Sequence, residues 1–490
     1  MQTAEPAHIG THLEPFVDEF LIERLDGARL QLHHPTPREV VLTTDRPCEG
    51  KFCGYITVFE DAGRFRMYYK AEDAHLRDGK FIQAHPIMIA YAESTDGIRW
   101  ERPELGLVEF NASRKNNLVF AGDGPEQLGV HGFAPFKDLN PACSPDARYK
   151  AVGAPAAQTA GRLYAFKSPD GLHWSLIQPN PIITKSAFDS QNLAFWDSAS
   201  GIYRAYMRDW HDLWGGGRDI RTATSTDFIH WSDPEWLQYP GAPFEQLYTN
   251  QIIPYYRAPH ILLGFPTRYV ERPWCEAIEN LPELEHRRLR SSISERYGTA
   301  LTDGLFMSSR DGRTFRRWGE AFLRPGPAPI GNWAYGDNYQ CWGLLETDSG
   351  LPGNPREISF YSTENYWRQG GVRIRRFTLR LDGFVSIQAP LSGGSVLTRP
   401  LLFDGRHLRV NFATSAAGSI RIEVLAADAT VALPGLSLDD SVPLIGDDVC
   451  RCARWRSGAD LSRASGQPVR LRFALQDADL YSIRFSETPA

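Results

Sequence analysis

Period-two alternation of polar and apolar side chains is the commonest pattern along this chain, and it predicts strands. Arg64-Phe65-Arg66-Met67-Tyr68-Tyr69-Lys70 shows it, and Tyr203-Arg204-Ala205-Tyr206-Met207-Arg208 repeats it. Phe52 to Phe59, Ile89 to Ala92, Leu163 to Phe166 and Glu357 to Tyr361 read as further strands, rich in aromatic and β-branched residues. Several of these runs enter one recurring turn. Ser94-Thr95-Asp96-Gly97-Ile98-Arg99-Trp100 and Ser168-Pro169-Asp170-Gly171-Leu172-His173-Trp174 are two copies. Ser225-Thr226-Asp227-Phe228-Ile229-His230-Trp231 lacks the glycine, and Ser309-Arg310-Asp311-Gly312-Arg313-Thr314-Phe315 closes on Phe. In each, Ser and Asp bond back onto the local backbone, Gly supplies positive φ, and the aromatic pins the turn to the sheet beneath.

A few antiparallel strands recurring with one turn at the rim make a β-propeller blade, lengthened here beyond the roughly 40–50 residues of compact blades. Five units are predicted, beginning near Cys48, Gly132, Phe188, Leu247 and Trp333. The fourth is interrupted from Glu271 to Arg296, where dense Glu and Arg with Leu281, Leu284 and Leu289 predict a helical excursion: a solvated flap, a subunit contact or a lid. Residues 1–45 carry both helical spacing (Leu13, Phe16, Val17, Phe20, Leu21, Leu25) and strand pieces such as Leu30-Gln31-Leu32-His33. They are expected to lead in and to complete the last blade. From about Ser392, Leu408-Val410-Phe412, Ile420-Ile422-Val424 and Val469-Leu471-Phe473-Leu475 alternate cleanly, a separate β-sandwich. The expected fold is all-β: a five-bladed β-propeller over residues 1–390 and a β-sandwich over 391–490.

Composition narrows the function classes. At 490 residues the chain exceeds the roughly 250–300 at which one core stops growing. A net charge of −6 disfavours nucleic acid and anionic membranes as partners. No apolar run approaches the roughly 18–20 residues of a membrane-spanning helix. Met1-Gln2-Thr3-Ala4-Glu5-Pro6 has no basic start and no apolar core, and the seven cysteines are scattered. A reduced, cytoplasmic protein is therefore expected, with a homo-oligomer left open.

In a propeller the innermost strands converge on a central channel, so acids near their starts share one pocket. Glu49, Asp138 and Asp189 stand near the starts of the first three units, Tyr248 and Asn250 near the fourth, and Asp337 near the fifth. Clustered carboxylates are what glycosidic cleavage requires: one protonated to donate, one ionised to attack or to deprotonate water. Sugar subsites would add aromatic platforms and planar polar groups, and Asn192, Trp196, Arg208, Trp210, Asn250, Arg268 and Trp333 lie in the matching strands.

These features resemble the five-bladed furanosidase superfamily, glycoside hydrolase families 32, 43 and 68 with 117 nearby; family 32 members also append a sandwich. The resemblance implies a glycosidase acting on a fructan, arabinan or related plant, algal or microbial oligosaccharide or polysaccharide, from chain ends. It implies Glu49 as nucleophile or base, Asp138 as transition-state stabiliser and Asp189 as general acid, with Arg268 and Asp337 on the pocket wall. Family 32 has Asn-Asp-Pro-Asn where this chain has Pro47-Cys48-Glu49-Gly50, so Asp18 stands in reserve as base. Two other readings stay open: a phosphorylase similar to family 130, with Lys137, Arg208, Arg268 and Arg272 as phosphate ligands, and a non-catalytic carbohydrate-binding propeller. No cofactor or metal is expected; a structural cation in the channel has no ligand spacing behind it.

Overall fold

The computed structural model describes residues 5–77, 79–157, 161–212, 216–327, 330–351, 356–428 and 431–488. Four of the six residues read above for a leader, 1–4, lie outside the described residues.

The alternating runs are strands of antiparallel four-stranded sheets, taken in chain order. The first holds Gly54–Asp61, Arg64–Ala71, Met88–Ser94 and Leu118–Phe120. The second holds His131–Lys137, Tyr149–Ala154, Tyr164–Ser168 and Ser175–Leu176. The third holds Leu193–Asp197, Ile202–His211, Gly217–Ser225 and Glu235–Trp236. The fourth holds Ile253–Tyr255, Ala258–Gly264, Met307–Ser309 and Arg316–Arg317, and a small sheet of Gln246–Leu247, Thr267–Val270 and Leu301–Gly304 accompanies it. The fifth holds Leu345–Thr347, Glu357–Glu364, Arg373–Arg380 and, from the start of the chain, Thr36–Thr43.

These sheets touch in a closed circuit, as the blades of a propeller do. The Tyr68 hydroxyl of the first sheet donates to the Gly171 carbonyl in the second sheet's turn (2.9 Å). Tyr206 of the third does the same to Gly312 of the fourth (2.8 Å), and Tyr361 of the fifth to Gly97 of the first (2.6 Å). Tyr203 reaches back to Asp138 of the second sheet (2.7 Å), and Tyr255 of the fourth donates to Asp382 in the turn after the fifth sheet's third strand (2.5 Å). First and last sheets also share backbone bonds, Val58 N–H to the Trp342 carbonyl and Trp342 N–H to that of Ile56, both 2.8 Å.

The recurring turn is built as its residues dictate. Asp170 Oδ1 accepts the amides of Leu172 (2.8 Å) and His173 (2.9 Å), Ser168 Oγ accepts that of Gly171 (2.8 Å), and the Trp174 indole donates to the Gly171 carbonyl (3.0 Å). Burial opposes ionisation of Asp170, but these amides and His173 outweigh it and hold the carboxyl below its usual range. Gly171 (φ +81°) serves a second end: a Cβ there would stand 2.8 Å from the Tyr68 hydroxyl. In the third copy no tyrosine hydroxyl among the described residues bonds the turn. Phe228 takes up φ +69° instead, and its ring packs against Phe136 (5.7 Å) and Tyr203 (5.1 Å).

The division at residue 390 needs correction. Ala7–Gly10, Glu14–Pro15, Ile22–Asp26 and Arg29–Leu32 pair within the ten-stranded sheet of Val385–Ala389, Gly394–Thr398, Leu401–Phe403, His407–Ala426, Asp447–Cys452 and Val469–Ser486. Ile9, Phe16 and Leu21 belong to the same core as Val410 and Phe473, so the helical spacing of residues 13–25 was coincidental. The chain starts in this second unit, crosses to close the fifth sheet, and returns to it at the end.

The excursion in the fourth sheet is helical: α1 (Glu276–Glu279), α2 (Leu284–Ser291) and α3 (Glu295–Thr299). It packs down rather than standing off. Arg290 is buried and donates to the Tyr335 carbonyl (2.6 Å), and Tyr297 stacks on Tyr335 (5.7 Å between ring centres).

Tyr361→Phe should lower stability by about 0.5–1.5 kcal/mol, because it removes a hydrogen bond to the Gly97 carbonyl where the circuit closes and leaves only that from the Trp100 indole (3.1 Å). Asp170→Ala should cost about 1 kcal/mol, the scale of a lost local hydrogen bond. Both are read by denaturant unfolding, and a Tyr361→Phe protein as stable as the parent would show that closure does not depend on this bond.

Candidate active site at the channel mouth

The axis, where the first strands of the sheets converge, is filled by amides. Gln251 Nε2 donates to Gln191 Oε1 and to the Gln340 carbonyl, both at 2.8 Å, and Gln191 Nε2 to Thr57 Oγ1 (3.1 Å). All four residues are buried, and the cavity left among them is about 10 Å³, too small for more than a water. The channel is therefore plugged, and chemistry belongs to its mouth.

At the mouth stand Asp189 and Arg208, ion-paired. Asp189 precedes the strand Leu193–Asp197, and Arg208 lies near the end of the next strand, Ile202–His211, so antiparallel pairing brings them to the same end of the third sheet. The Asp189 side chain is about one-third exposed, whereas Arg208 is 2% exposed. Arg208 lies against Trp210 (5.4 Å to the ring centre) and Tyr248 (5.1 Å), and Arg218 against Trp210 (4.6 Å), Tyr248 (5.5 Å) and Tyr269 (4.2 Å). Trp210 is 43% exposed and lies beside both buried cations. The Nε–H groups of Arg208 and Arg218 donate to nothing among the described residues.

Tyrosines line the opposite wall, with Tyr55, Lys70, Tyr248, Tyr335 and Tyr366 around a cavity of about 20 Å³. Their environments diverge. Burial pushes Tyr55 and Tyr335 well above the ordinary phenol range and Tyr366 to about 12, so all three stay protonated donors. Burial acts on Tyr248 too, but Arg208, the Tyr335 hydroxyl at 2.8 Å, Arg218 and Arg296 together bring it below the ordinary value. Burial drives His131 down to about 3, with Lys70 and Arg208 adding to the effect, so its ring, edge-on to Tyr55, is neutral. Lys70 is paired with the buried Glu72 (2.6 Å).

The structure does not bring Glu49, Asp138 and Asp189 together. Glu49 is sealed: Tyr69 (2.5 Å) and Asn117 (3.4 Å) donate to one oxygen, Arg102 (2.8 Å) and the Arg46 amide (3.0 Å) to the other. Asp138 follows the last residue of His131–Lys137, so it lies at the far end of its strand, roughly 20 Å from the end that His131 marks. There it is ion-paired with Lys150 and bonded by Tyr203. Asp18 is held by Arg310 (2.7 Å) against the fourth sheet's turn. Asp337 is buried between Arg368 (3.1 Å) and the amides of Ala334 and Tyr366. Asn192 and Asn250 are buried and bond backbone carbonyls, and Trp196 packs on Tyr203 (4.9 Å). Of the expected site residues, Asp189, Arg208, Trp210 and Tyr248 meet at the mouth.

Arg268 and Trp333 lie elsewhere, in an open groove of about 890 Å³ beside the small sheet. Arg268 is locked between Glu245 (2.5 Å) and Asp303 (2.6 Å). Arg218 joins groove to mouth, since it also donates to Gln246 (2.6 Å) and approaches Glu271 (3.3 Å). The missed residues Arg218, Tyr55, His131 and Glu72 had no motif around them. The plug had one: Ser190-Gln191-Asn192, Asn250-Gln251-Ile252 and Tyr339-Gln340-Cys341 each place a glutamine shortly before an inner strand.

No family model matches the chain, and no curated protein matches it. Among solved structures it is similar to a Bombyx mori GH32 beta-fructofuranosidase at TM-score 0.42 and 10% identity, over 93% of this chain and 95% of that one. It is similar at 0.42 and 13% to a structure described under the GH130 family of mannoside phosphorylases, over 74% and 96%. It is similar at 0.42 and 11% to an N-acetylgalactosamine deacetylase from F. plautii in complex with blood group B trisaccharide, over 72% and 94%. Scores under 0.5 at such identities assign neither family nor activity, and the three activities differ from one another.

Asp219 neighbours Arg218 but projects from the other face of its strand, toward Tyr239 (3.2 Å) and the Ile220 amide (2.7 Å). Burial raises its carboxyl to about 6. Folded chains therefore keep this proton above the roughly 3.9 at which unfolded chains lose it, and its contribution to stability declines as pH rises from about 4 to 6. In Asp219→Asn that decline should vanish from the Tm–pH curve, and an unchanged curve would place the titration elsewhere.

Proposed function

We propose that the chain is a glycan-active enzyme, a glycoside hydrolase working at the plugged channel mouth. The observation that carries this reading is the pair of buried guanidiniums, Arg208 and Arg218, whose Nε–H groups have no partner among the described residues and which flank the partly exposed Trp210. Buried donors of this kind call for an oxygen-rich ligand, and a partly exposed indole suits the C–H face of a sugar ring. The glutamine plug stops a chain from threading through, which favours attack at chain ends of an oligosaccharide or polysaccharide.

Asp189 is the reacting carboxylate. Its ion pair with the buried Arg208 suits a nucleophile or base rather than the acid that the resemblance implied. Glu72 is the second mouth carboxylate, and Tyr55 and Tyr335 supply hydroxyl donors to the sugar.

A phosphorylase is the second reading, favoured by one observation: Arg208, Arg218 and Arg296 crowd Tyr248, an excess of positive charge suited to an anion. Of the earlier phosphate candidates only Arg208 remains at the mouth, since Lys137 pairs with Asp61 (2.8 Å) and Arg268 and Arg272 line the groove.

Turnover of an oligosaccharide panel with and without inorganic phosphate separates the two readings. In the hydrolase, Asp189→Asn should lose at least about 10²-fold in kcat on activated aryl glycosides and natural glycans alike, with binding retained. A loss confined to poor leaving groups would make Asp189 the acid. Full turnover in Asp189→Asn would remove the mouth from the chemistry. Trp210→Ala should raise KM roughly tenfold or more, the scale of a lost stacking contact.

A further inference from the structure

Away from the mouth, three metal-binding side chains converge where the N-terminal strands of the sandwich meet the fourth sheet. His12 lies on the turn between Ala7–Gly10 and Glu14–Pro15, Glu14 opens the latter strand, and His260 lies in Ala258–Gly264. One donor atom from each comes within 4.8 Å of the other two. His260 Nε2 is 2.9 Å from Glu14 Oε1, and the two imidazoles stack with centres 4.9 Å apart.

We propose that His12, Glu14 and His260 bind a divalent transition-metal ion of the zinc class, tying the sandwich to the ring of sheets. Two imidazole nitrogens and one carboxylate oxygen are a donor set that such ions favour. Bonds of about 2.0–2.2 Å put two donors on one ion at most about 4.2 Å apart, so a closure of under about 1 Å suffices. His12 can supply it, because it is exposed on a turn while Glu14 is buried and fixed. Glu14 is already oriented for one-oxygen ligation. Arg310 donates to its Oε2 (2.9 Å) and leaves Oε1 facing His260, and outer-shell donors of this kind orient metal-bound carboxylates. Arg310 does not repel the ion outright, since Asp18 is paired with the same guanidinium (2.7 Å) and the cluster carries a net negative charge. On binding, the ion replaces the proton between His260 and Glu14, and solvent completes its shell on the exposed His12 side.

The full chain, stripped with a chelator and titrated with zinc chloride in a calorimeter, should bind one ion and gain thermal stability. His12→Ala should weaken binding by at least about tenfold, and His260→Ala likewise. The exposed Cys450 and partly exposed Cys452 form the rival site. Cys450→Ser/Cys452→Ser should leave zinc affinity unchanged, and cobalt should give a spectrum without a thiolate charge-transfer band. Absence of one-to-one binding would overturn the proposal. So would affinity that survives both His12→Ala and His260→Ala, or that falls only in the cysteine variant. His12→Ala removes an exposed turn side chain, so it serves even if His260→Ala fails to fold.

Discussion

A tyrosine hydroxyl buried between two sheets must find an acceptor, and most of this molecule is arranged around that requirement. Backbone carbonyls inside a sheet are spent on their own ladders. The free ones lie in turns, and the Asp-Gly turn aims one sideways, at the neighbouring sheet. Tyr68, Tyr206 and Tyr361 each take the glycine carbonyl of the next turn. The glycine cannot then be spared, since a Cβ at Gly97 would stand 3.0 Å from the Tyr361 hydroxyl. Turn and tyrosine form one device, and repeating it fixes how each sheet meets the next. The third copy, without such a hydroxyl, tolerates Phe228 and packs by ring contacts instead.

That device explains which parts of the fold are legible in sequence. Period-two alternation and the turn are local signals, so the strands of the sheets and the turns between them could be read directly. Part of residues 1–45 was expected to close the last sheet because a closed ring needs a last strand from somewhere, and Thr36–Thr43 does so. The opening residues were not legible in this way. Ala7–Gly10 is a strand because Leu401–Phe403, nearly four hundred residues on, lies beside it. No local pattern encodes such a partner.

The site failed to show in sequence for a related reason. A carboxylate near a strand says nothing until the strand's ends are fixed. Asp138 was counted near a start because the whole stretch from Gly132 was read as the opening of the second unit, yet that stretch is the strand His131–Lys137 and Asp138 follows its far end. Glu49 fails through its company: Tyr69, Asn117 and Arg102 satisfy both oxygens and leave none for a ligand. Asp189 stands out because a single buried cation faces it from the adjacent strand. Pairing register, not motif, put Arg208 there.

The cost of burying guanidiniums at the mouth constrains what can occupy it. Taking a charged group out of water costs several kcal/mol unless something replaces the lost solvent. Aromatic faces supply part of that, with Arg218 4.2 Å from the Tyr269 ring centre and 4.6 Å from that of Trp210. A ring can cover only the flat face of a guanidinium, however. The N–H groups lie in the plane, and the Nε–H edges of Arg208 and Arg218 have no partner among the described residues. Whatever completes them must offer acceptors in that plane while leaving the aromatic faces covered. A small anion alone would meet the edges and leave Trp210 bare. A sugar ring meets both demands, with hydroxyls around its rim and a C–H face for the indole. The geometry of the cations, more than the placing of any acid, is therefore what favours a glycan here.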